Sequence, residues 1–248
     1  MKKLLFIVLM SSLCFACSKD DSLELGIKTL EISLYPQDVV SIDAVSDFDI
    51  TYLSTNTYLA DVSAEGMLTA NKVGKTLVEV SSHDRLLEVS VDVMGRYNVY
   101  PDPIVDWGIS QSELIEIAGE PDKSYTSSIE YSEFSEQAPN IAYLFTPGDS
   151  LMCALVIVLE TYSDDLIAYM DERFIFDSEE DGLVVYCDAH EEEDVSMLMG
   201  IFNGGGGSLM VLYIENEQED TKSRQAVSSD FKNMRKQMKT LASEKMNK

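Results

Sequence analysis

The feature that most limits the fold of this chain is a series of short apolar runs between residues 27 and 95. The runs alternate apolar with polar positions and are separated by turn-forming residues: IKTLEISLY, DVVSIDAV, FDITYLS, TLVEVSS and LLEVSVDV. A period of two gives each strand one apolar face. These residues therefore predict an all-β unit whose short strands bury their apolar faces against one another.

Small and aromatic residues follow a recognisable order within this unit. They are Tyr52, Ser54, Asn56, Ala60, Val62, Gly66, Leu68, Thr69, Ala70 and Gly74. In this order the segment resembles the group 2 bacterial immunoglobulin-like family, with Tyr52 in place of the usual tryptophan and Leu68 in place of the commoner valine. The resemblance implies an immunoglobulin-like sandwich over 27–95, a spacer or adhesive role and no catalytic residue. We expect Gly66 to close a hairpin with positive φ and Tyr52 to fill the core.

The second half of the chain alternates helical and strand-like patterns. Residues 96–106, with two prolines, are predicted to form a linker before a domain over 107–216. Ser110 and Glu113 have the spacing of a capping box at the start of a helix. Three strand-like runs follow, then a second helix with Ser163 as its cap, then three or four more runs. The chain is thus predicted to be multidomain, its second domain α+β with helices packed on an antiparallel sheet, and an α-β3-α-β3 duplication as one arrangement.

A short pattern in this region suggests one further function. Gly108, Ser110, Leu114, Gly119 and Pro121 resemble the corresponding positions of small helix-plus-hairpin lipoproteins associated with outer-membrane assembly. The resemblance covers about fifteen residues and mostly reflects a capped helix and a turn. It implies an envelope-assembly accessory as one alternative.

The N-terminus has the parts of a secretory signal. Lys2 and Lys3 precede an apolar run of about ten residues, which is too short to span a bilayer. Ala16 before Cys17 resembles the lipobox of bacterial lipoproteins, although Cys14 stands where leucine is usual. The resemblance implies a signal peptide over 1–16, a lipid on Cys17 and an acidic tether over 17–26. A cleaved signal followed by a stray cysteine is the alternative.

The residues after Cys17, SKDD, resemble the signal that sends some Gram-negative lipoproteins to the outer face of the outer membrane. A tether with chance acids is the alternative. We therefore expect an outer-membrane lipoprotein exposed on the cell surface, or otherwise facing the periplasm. The membrane is its first partner, through the N-terminal lipid.

The charge is strongly negative and unevenly spread. The formal net charge is −26, and residues 20–220 hold 42 acidic and seven basic residues. Such a surface repels phosphate backbones, so nucleic acid is excluded as a partner. Residues 217–248 are instead basic and are predicted to be a disordered tail. The alternative is a basic amphipathic arm that folds back on the acidic body or touches anionic lipid. Its apolar stripe would contain Phe231, Met234, Met238 and Leu241.

Two cysteines and one acidic run are candidate sites. Cys153 and Cys187 lie in apolar strand-like runs, so they are either a disulfide permitted by an oxidising compartment or two buried thiols. An acidic run has calcium-loop spacing, with candidate ligands Asp177, Glu179, Asp181 and Asp188. Its third position is too long and its twelfth too short, so we expect no tight metal site.

No motif in the chain specifies a reaction. The two histidines lack a nucleophile or zinc-site setting, and no cofactor motif is found. We therefore predict a protein that is not an enzyme and has a binding or structural role, with a surface protein or glycan as partner. The alternative is a hydrolase or carbohydrate-active enzyme using carboxylates of the second domain, which requires two carboxylates facing one cleft.

Overall fold

The computed structural model describes residues 24–216, and nine strands form its first half. They are β1 Gly26–Ile27, β2 Glu31–Leu34, β3 Val39–Ser41, β4 Ala44–Val45, β5 Ile50–Ser54, β6 Ala60–Val62, β7 Met67–Ala70, β8 Gly74–Ser82 and β9 Arg85–Val93. One sheet has the order β2-β9-β8-β5, a second has the order β3-β7-β6, and β1 pairs with β4. All pairs are antiparallel except β2 with β9.

The two larger sheets enclose one apolar core. Val78, Val80 and Val91 of the first sheet and Leu68 of the second are all 0% exposed. Alternate positions along β8 are buried, as the period of two predicts. This two-sheet arrangement agrees with the sandwich that the sequence predicts, and we call it the sandwich below.

Gly66 and Tyr52 behave as expected from the sequence. Gly66 lies in the turn between β6 and β7 with φ of 78°. A Cβ at this position would lie 2.7 Å from Cζ of Tyr52, whose ring packs against the sandwich core. The position therefore requires glycine both for its backbone and for the space that the tyrosine ring occupies.

Two short helices and one eight-stranded sheet form the second half. The elements are α1 Gln111–Ala118, β10 Lys123–Tyr125, β11 Ser128–Ser132, β12 Asn140–Phe145, β13 Leu151–Leu159, α2 Ser163–Arg173, β14 Ile175–Glu180, β15 Leu183–Cys187, β16 Met197–Gly205 and β17 Ser208–Glu215. The order across the sheet is β10-β11-β12-β13-β17-β16-β15-β14, with every neighbouring pair antiparallel. Each helix is thus followed by a four-stranded meander, and β13 and β17 join the two meanders.

The predicted fold class is wrong for this half of the chain. Strands are far more extensive than helices within residues 24–216, and the α-helices have only eight and eleven residues. Such helices are about 12 and 17 Å long, whereas eight strands span about 34 Å, so they cannot form the helical layer of an α+β domain. The three-strand repeat is also wrong. The additional strand β10 is missing from the prediction because its three residues are all exposed and have no apolar alternation.

The sheet has an apolar cluster on each face. The first face packs against Leu114 of α1 and against Leu166, Tyr169 and Met170 of α2. The second face carries a separate group, which we call the second-face cluster: Cys153, Leu155, Leu183, Val185, Cys187, Val195, Leu198, Phe202, Met210, Leu212 and Ile214. Neither helix within residues 24–216 has the length and apolar character needed to cross a membrane.

Candidate functional site

The last turn of α2 is capped by the sandwich. The final carbonyls of a helix have no partner within it, so they accept bonds from elsewhere. Lys72 donates from Nζ to the carbonyl oxygens of Asp171 and Phe174, both at 2.7 Å. The backbone N–H of Val73 donates to the carbonyl oxygen of Glu172 at 2.9 Å. We call these contacts between residues 58–73 and the end of α2 the joint.

Tyr58 extends the joint. Its hydroxyl donates to the carbonyl oxygen of Arg173 at 2.6 Å, and its ring makes an edge contact with His190 at 5.6 Å. Burial, together with the Asp188 carboxylate, raises the pKa of Tyr58 well above its usual range. Burial also lowers the pKa of Lys72. Both groups are therefore withdrawn from water and serve as hydrogen-bond donors.

The predicted linker 96–106, which we call the connecting chain, is bound to the same last turn of α2. Glu172 Oε2 accepts from the backbone N–H groups of Arg96 at 2.8 Å and Tyr97 at 3.1 Å. The Arg96 guanidinium lies 3.6 Å from Glu172 Oε1 and donates to the Pro36 carbonyl at 3.0 Å. Within residues 24–216, Glu172 is the one buried acidic side chain, at 9% exposure. Its charge is therefore compensated by two backbone N–H donors and one ion pair of the connecting chain.

Arg173 completes this network from the next position of α2. Its guanidinium carbon lies 3.7 Å from the centre of the Tyr169 ring, and Nη1 donates to the Tyr97 carbonyl at 3.2 Å. Nε lies 3.7 Å from Oδ1 of Asp102, an ion-pair distance that is too long for a hydrogen bond. The Tyr169 hydroxyl donates to the same oxygen at 3.2 Å. These contacts fix the connecting chain against α2.

A cleft of about 730 Å³ lies beside the start of α1. Its lining is mostly amide, hydroxyl and apolar: Gln111, Ser112, Ile115, Thr126, Ser127, Phe145, Thr146, Pro147 and Asp149. Asp149 is the one carboxylate of this lining, and its Oδ1 accepts from the backbone N–H of Gln111 at 3.0 Å. The cleft can bind a polar group by hydrogen bonds, but its lining lacks the two carboxylates of glycoside hydrolysis.

The structure does not bring the two candidate cysteines together. Cys153 and Cys187 are both buried, and neither forms a disulfide. Strand register places the two cysteines in one row across the sheet, with Ile214 and Leu198 between them. Three strand spacings therefore separate their Cα atoms, a distance of about 14 Å. A disulfide needs Cα atoms within about 7 Å, so the pair does not fit this sheet and the alternative of two buried thiols does. Burial raises the pKa of the Cys153 thiol to about 12.

The acidic calcium candidates are spread along a hairpin. Asp177 and Glu179 lie on β14, Asp181 lies at the turn, and Asp188 follows β15. Asp181 and Asp188 are therefore at opposite ends of the hairpin, about 20 Å apart. Asp188 Oδ1 accepts from the backbone N–H groups of Ser196 at 2.9 Å and Met197 at 3.0 Å. No group of three potential metal ligands converges within residues 24–216.

Other predicted features lie outside the described residues: the signal peptide 1–16, Cys17 with most of the tether, and the tail 217–248. The joint, by contrast, is described but was missed at the sequence level. One signal could have found it. Only seven basic residues occur within 20–220, and three of them lie at the end of α2: Lys72 in the joint, Arg96 in the connecting chain and Arg173 in the helix itself.

Comparison with known proteins assigns no family. No family model matches the chain, and no curated protein matches it significantly. Among solved structures, a mutant of intimin from enterohaemorrhagic Escherichia coli O157:H7 is 14% identical, covering 66% of this chain and 85% of its own, with a TM-score of 0.26. Domains 5–6 of the S-layer protein SbsC are 11% identical, covering 80% and 86%, with a TM-score of 0.26. Domains 4–9 of SbsC are 12% identical, covering 79% and 28%, with a TM-score of 0.27. At such scores the likenesses assign neither a fold nor a function to this chain.

Proposed function

We propose that this chain is a lipid-anchored protein of the cell envelope with a non-catalytic, structural or binding role. In this proposal the lipid on Cys17 holds the chain in the outer membrane, with the body exposed on the cell surface. The sandwich is a spacer that carries the eight-stranded domain away from the bilayer. The cleft beside α1 is the position where that domain would bind a protein or glycan.

The observation that supports the spacer role is the placement of the two ends of the sandwich. Glu24, the first described residue, pairs with Arg85 at the turn between β8 and β9. The joint forms at the other end of this hairpin, where Val73 precedes β8. Nine residues of strand separate the two ends by about 27 Å. A tether that enters at one end is therefore held that far from the second domain.

The anchor is tested by changing Cys17→Ala in the full chain. We expect the protein to leave the membrane fraction and to lose lipid labelling, since cleavage of a lipoprotein signal requires the cysteine. Ser18→Ala serves as the matched control and should stay in the membrane. Unchanged fractionation of the cysteine variant would refute lipid anchoring.

Surface exposure is tested separately, by adding protease to intact cells. Digestion of the second domain without permeabilisation is the result expected for the outer face. Protection until the outer membrane is opened would place the chain in the periplasm and would leave the spacer proposal to be revised for that compartment.

A further inference from the structure

The second face of the eight-stranded sheet is buried like a core, although no other layer among residues 24–216 contributes to its apolar cluster. The side chains of the second-face cluster are only 0–8% exposed, which is the burial of a core. Every member comes from β13, β15, β16, β17 or the loop 188–196. The partly buried side chains packed against it, Leu144, Ile175 and Ala189, come from β12, β14 and the same loop. Within residues 24–216, neither helix and no strand of the sandwich contributes to this cluster.

A sheet face of this kind must be buried against another element. We propose that residues 229–241 of this same chain dock on it as an amphipathic helix. Their apolar stripe, Phe231, Met234, Met238 and Leu241, has the spacing that places these side chains on one helix face. The shape of the face, the length of the chain and the charge of the segment all favour this occupant.

The shape of the face has one special position. Gly200 lies in β16 opposite Val185 and Leu212, which both belong to the second-face cluster. It is buried, and its backbone is not in the positive-φ region that requires glycine. A glycine within a strand weakens it and often marks the close approach of another group. Gly200 therefore has no side chain at a central position of the face, and this is where we expect a large side chain of the stripe to pack.

The length of the chain also fits. β17 is a central strand of the eight-stranded sheet and ends at Glu215, so the chain that follows it begins beside the second face. The twelve residues 217–228 can reach up to about 40 Å, and a helix of thirteen residues is about 20 Å long. The four strands of the cluster are about 14 Å wide and their apolar rows are about 13 Å long, so such a helix covers the face.

The N-terminal segment is a poorer occupant. Glu24 lies at the end of the sandwich that is opposite the joint, about 27 Å of strand away from it. Residues 17–23 reach only about 24 Å when fully extended. They also carry two aspartates and one lysine, whereas residues 221–248 carry eight basic and two acidic residues.

Charge favours the C-terminal segment as well. The loop 188–196, which contributes Val195 to the cluster, contains five acidic residues within 188–194, and Glu191 to Asp194 are exposed. Lys232, Arg235, Lys236 and Lys239 lie within the proposed helix. Opposite charges therefore meet at the rim of the face while the apolar stripe meets its centre.

The two buried thiols of the face provide the test. In the full chain with Cys14→Ser and Cys17→Ser, only Cys153 and Cys187 remain, and both belong to the second-face cluster. Their rate of reaction with a maleimide reports how often the face opens. Phe231→Ser with Met234→Ser should raise that rate at least about tenfold, because each buried apolar side chain contributes that order to the docking equilibrium. Asn233→Ser with Thr240→Ser, off the stripe, should leave it unchanged.

A rescue experiment distinguishes loss of docking from general unfolding in the variant with Phe231→Ser and Met234→Ser, which we call the stripe variant. A peptide of residues 221–248 added to that variant should restore slow labelling, and the same peptide with both serine substitutions should not. Equal rates in the parent and the stripe variant, or fast labelling of the parent, would overturn the proposal. It would also be overturned if protection of the parent disappeared on dilution, since a second copy of the chain would then be the cover.

Discussion

Single residues decide how closely the elements of this protein approach one another. Gly66 does so in the sandwich, where the Tyr52 ring occupies the place of a side chain. In the second domain, Tyr100 and Tyr213 bring their hydroxyl groups within 2.8 Å of each other, and the two residues are only 4% and 1% exposed. Each of these residues is tolerated in the core because of a specific neighbour. The Tyr52 ring fills the space beside Gly66, and the two tyrosine hydroxyl groups are hydrogen-bond partners of each other.

Gly66→Ala should destabilise the sandwich by about 2–3 kcal/mol, since alanine must adopt a positive φ and also displace the Tyr52 ring. In a Tyr52→Leu background the same change should cost only about 1 kcal/mol, because the backbone strain alone remains. Urea denaturation of the four variants measures the difference. Equal costs in both backgrounds would show that the ring does not press on Gly66.

The buried tyrosines predict alkaline instability. Burial raises the pKa of Tyr100 and of Tyr213 well above 10 in the folded protein, whereas the unfolded chain titrates near 10. Above that pH the unfolded state binds fewer protons, so the stability present below pH 10 is lost as the pH rises. Each such tyrosine should contribute a loss of about 1.4 kcal/mol per pH unit.

Urea denaturation between pH 9 and pH 11 measures this slope. Tyr213→Phe should make it shallower by the contribution of one tyrosine, and Tyr125→Phe, at an exposed position, should not. A slope that is unaffected by Tyr213→Phe would mean that this hydroxyl ionises in the folded protein.

At the scale of elements, sequence patterns predicted most accurately those features of the helices that depend on residues close together in the chain. The capping box of α1 is confirmed: the side chain of Ser110 accepts from the backbone of Glu113, whose carboxylate accepts from the backbone of Ser110. The apolar face of α2 is confirmed as well, but its expected cap is wrong. Ser163 is the first helical residue and Tyr162 holds the cap position without a side-chain bond.

The joint could not be predicted from local pattern, since it forms between residues about one hundred positions apart. Lys72→Met should lower the free energy of unfolding by about 1–3 kcal/mol, because two carbonyls of α2 lose a charged donor. Lys75→Met is the matched control: this lysine is 80% exposed and pairs with Asp92 at 3.6 Å, so its loss should change stability by no more than about 0.5 kcal/mol. Hydrogen exchange at the last turn of α2 should rise only in the first variant. Identical exchange in both would show that the joint does not hold the helix end.

At the scale of the whole molecule, the sequence predicted the sandwich better than the sheet that follows it. Alternation in β8 and β9 is clear because one face of each strand is solvated. β13 and β17 lie in the middle of the large sheet and are apolar on both faces, so their pattern specifies neither their neighbours nor their register. The cleft beside α1 was likewise not predicted, because its lining comes from three separate stretches of the chain.

The domain boundaries remain a prediction. Every residue of the sandwich core lies within 25–93, whereas Val99 and Tyr100 belong to the core of the second half. We therefore expect a fragment of residues 24–95 to melt cooperatively on its own, with modest stability for its size. Thermal melting monitored by circular dichroism measures whether the fragment unfolds cooperatively. A fragment that shows no transition, while the full chain does, would mean that the two halves fold as one unit.

The central position of the last strand has a consequence for biogenesis. β17 pairs with β13, which lies about fifty to sixty residues earlier in the chain, and it also pairs with β16. Until the ribosome has released residue 215, the two meanders have no shared edge and cannot close into one sheet. Contacts between residues so far apart also form slowly. The larger domain therefore stays unfolded through most of synthesis, which is compatible with the export proposed above because passage through a narrow channel requires an unfolded chain.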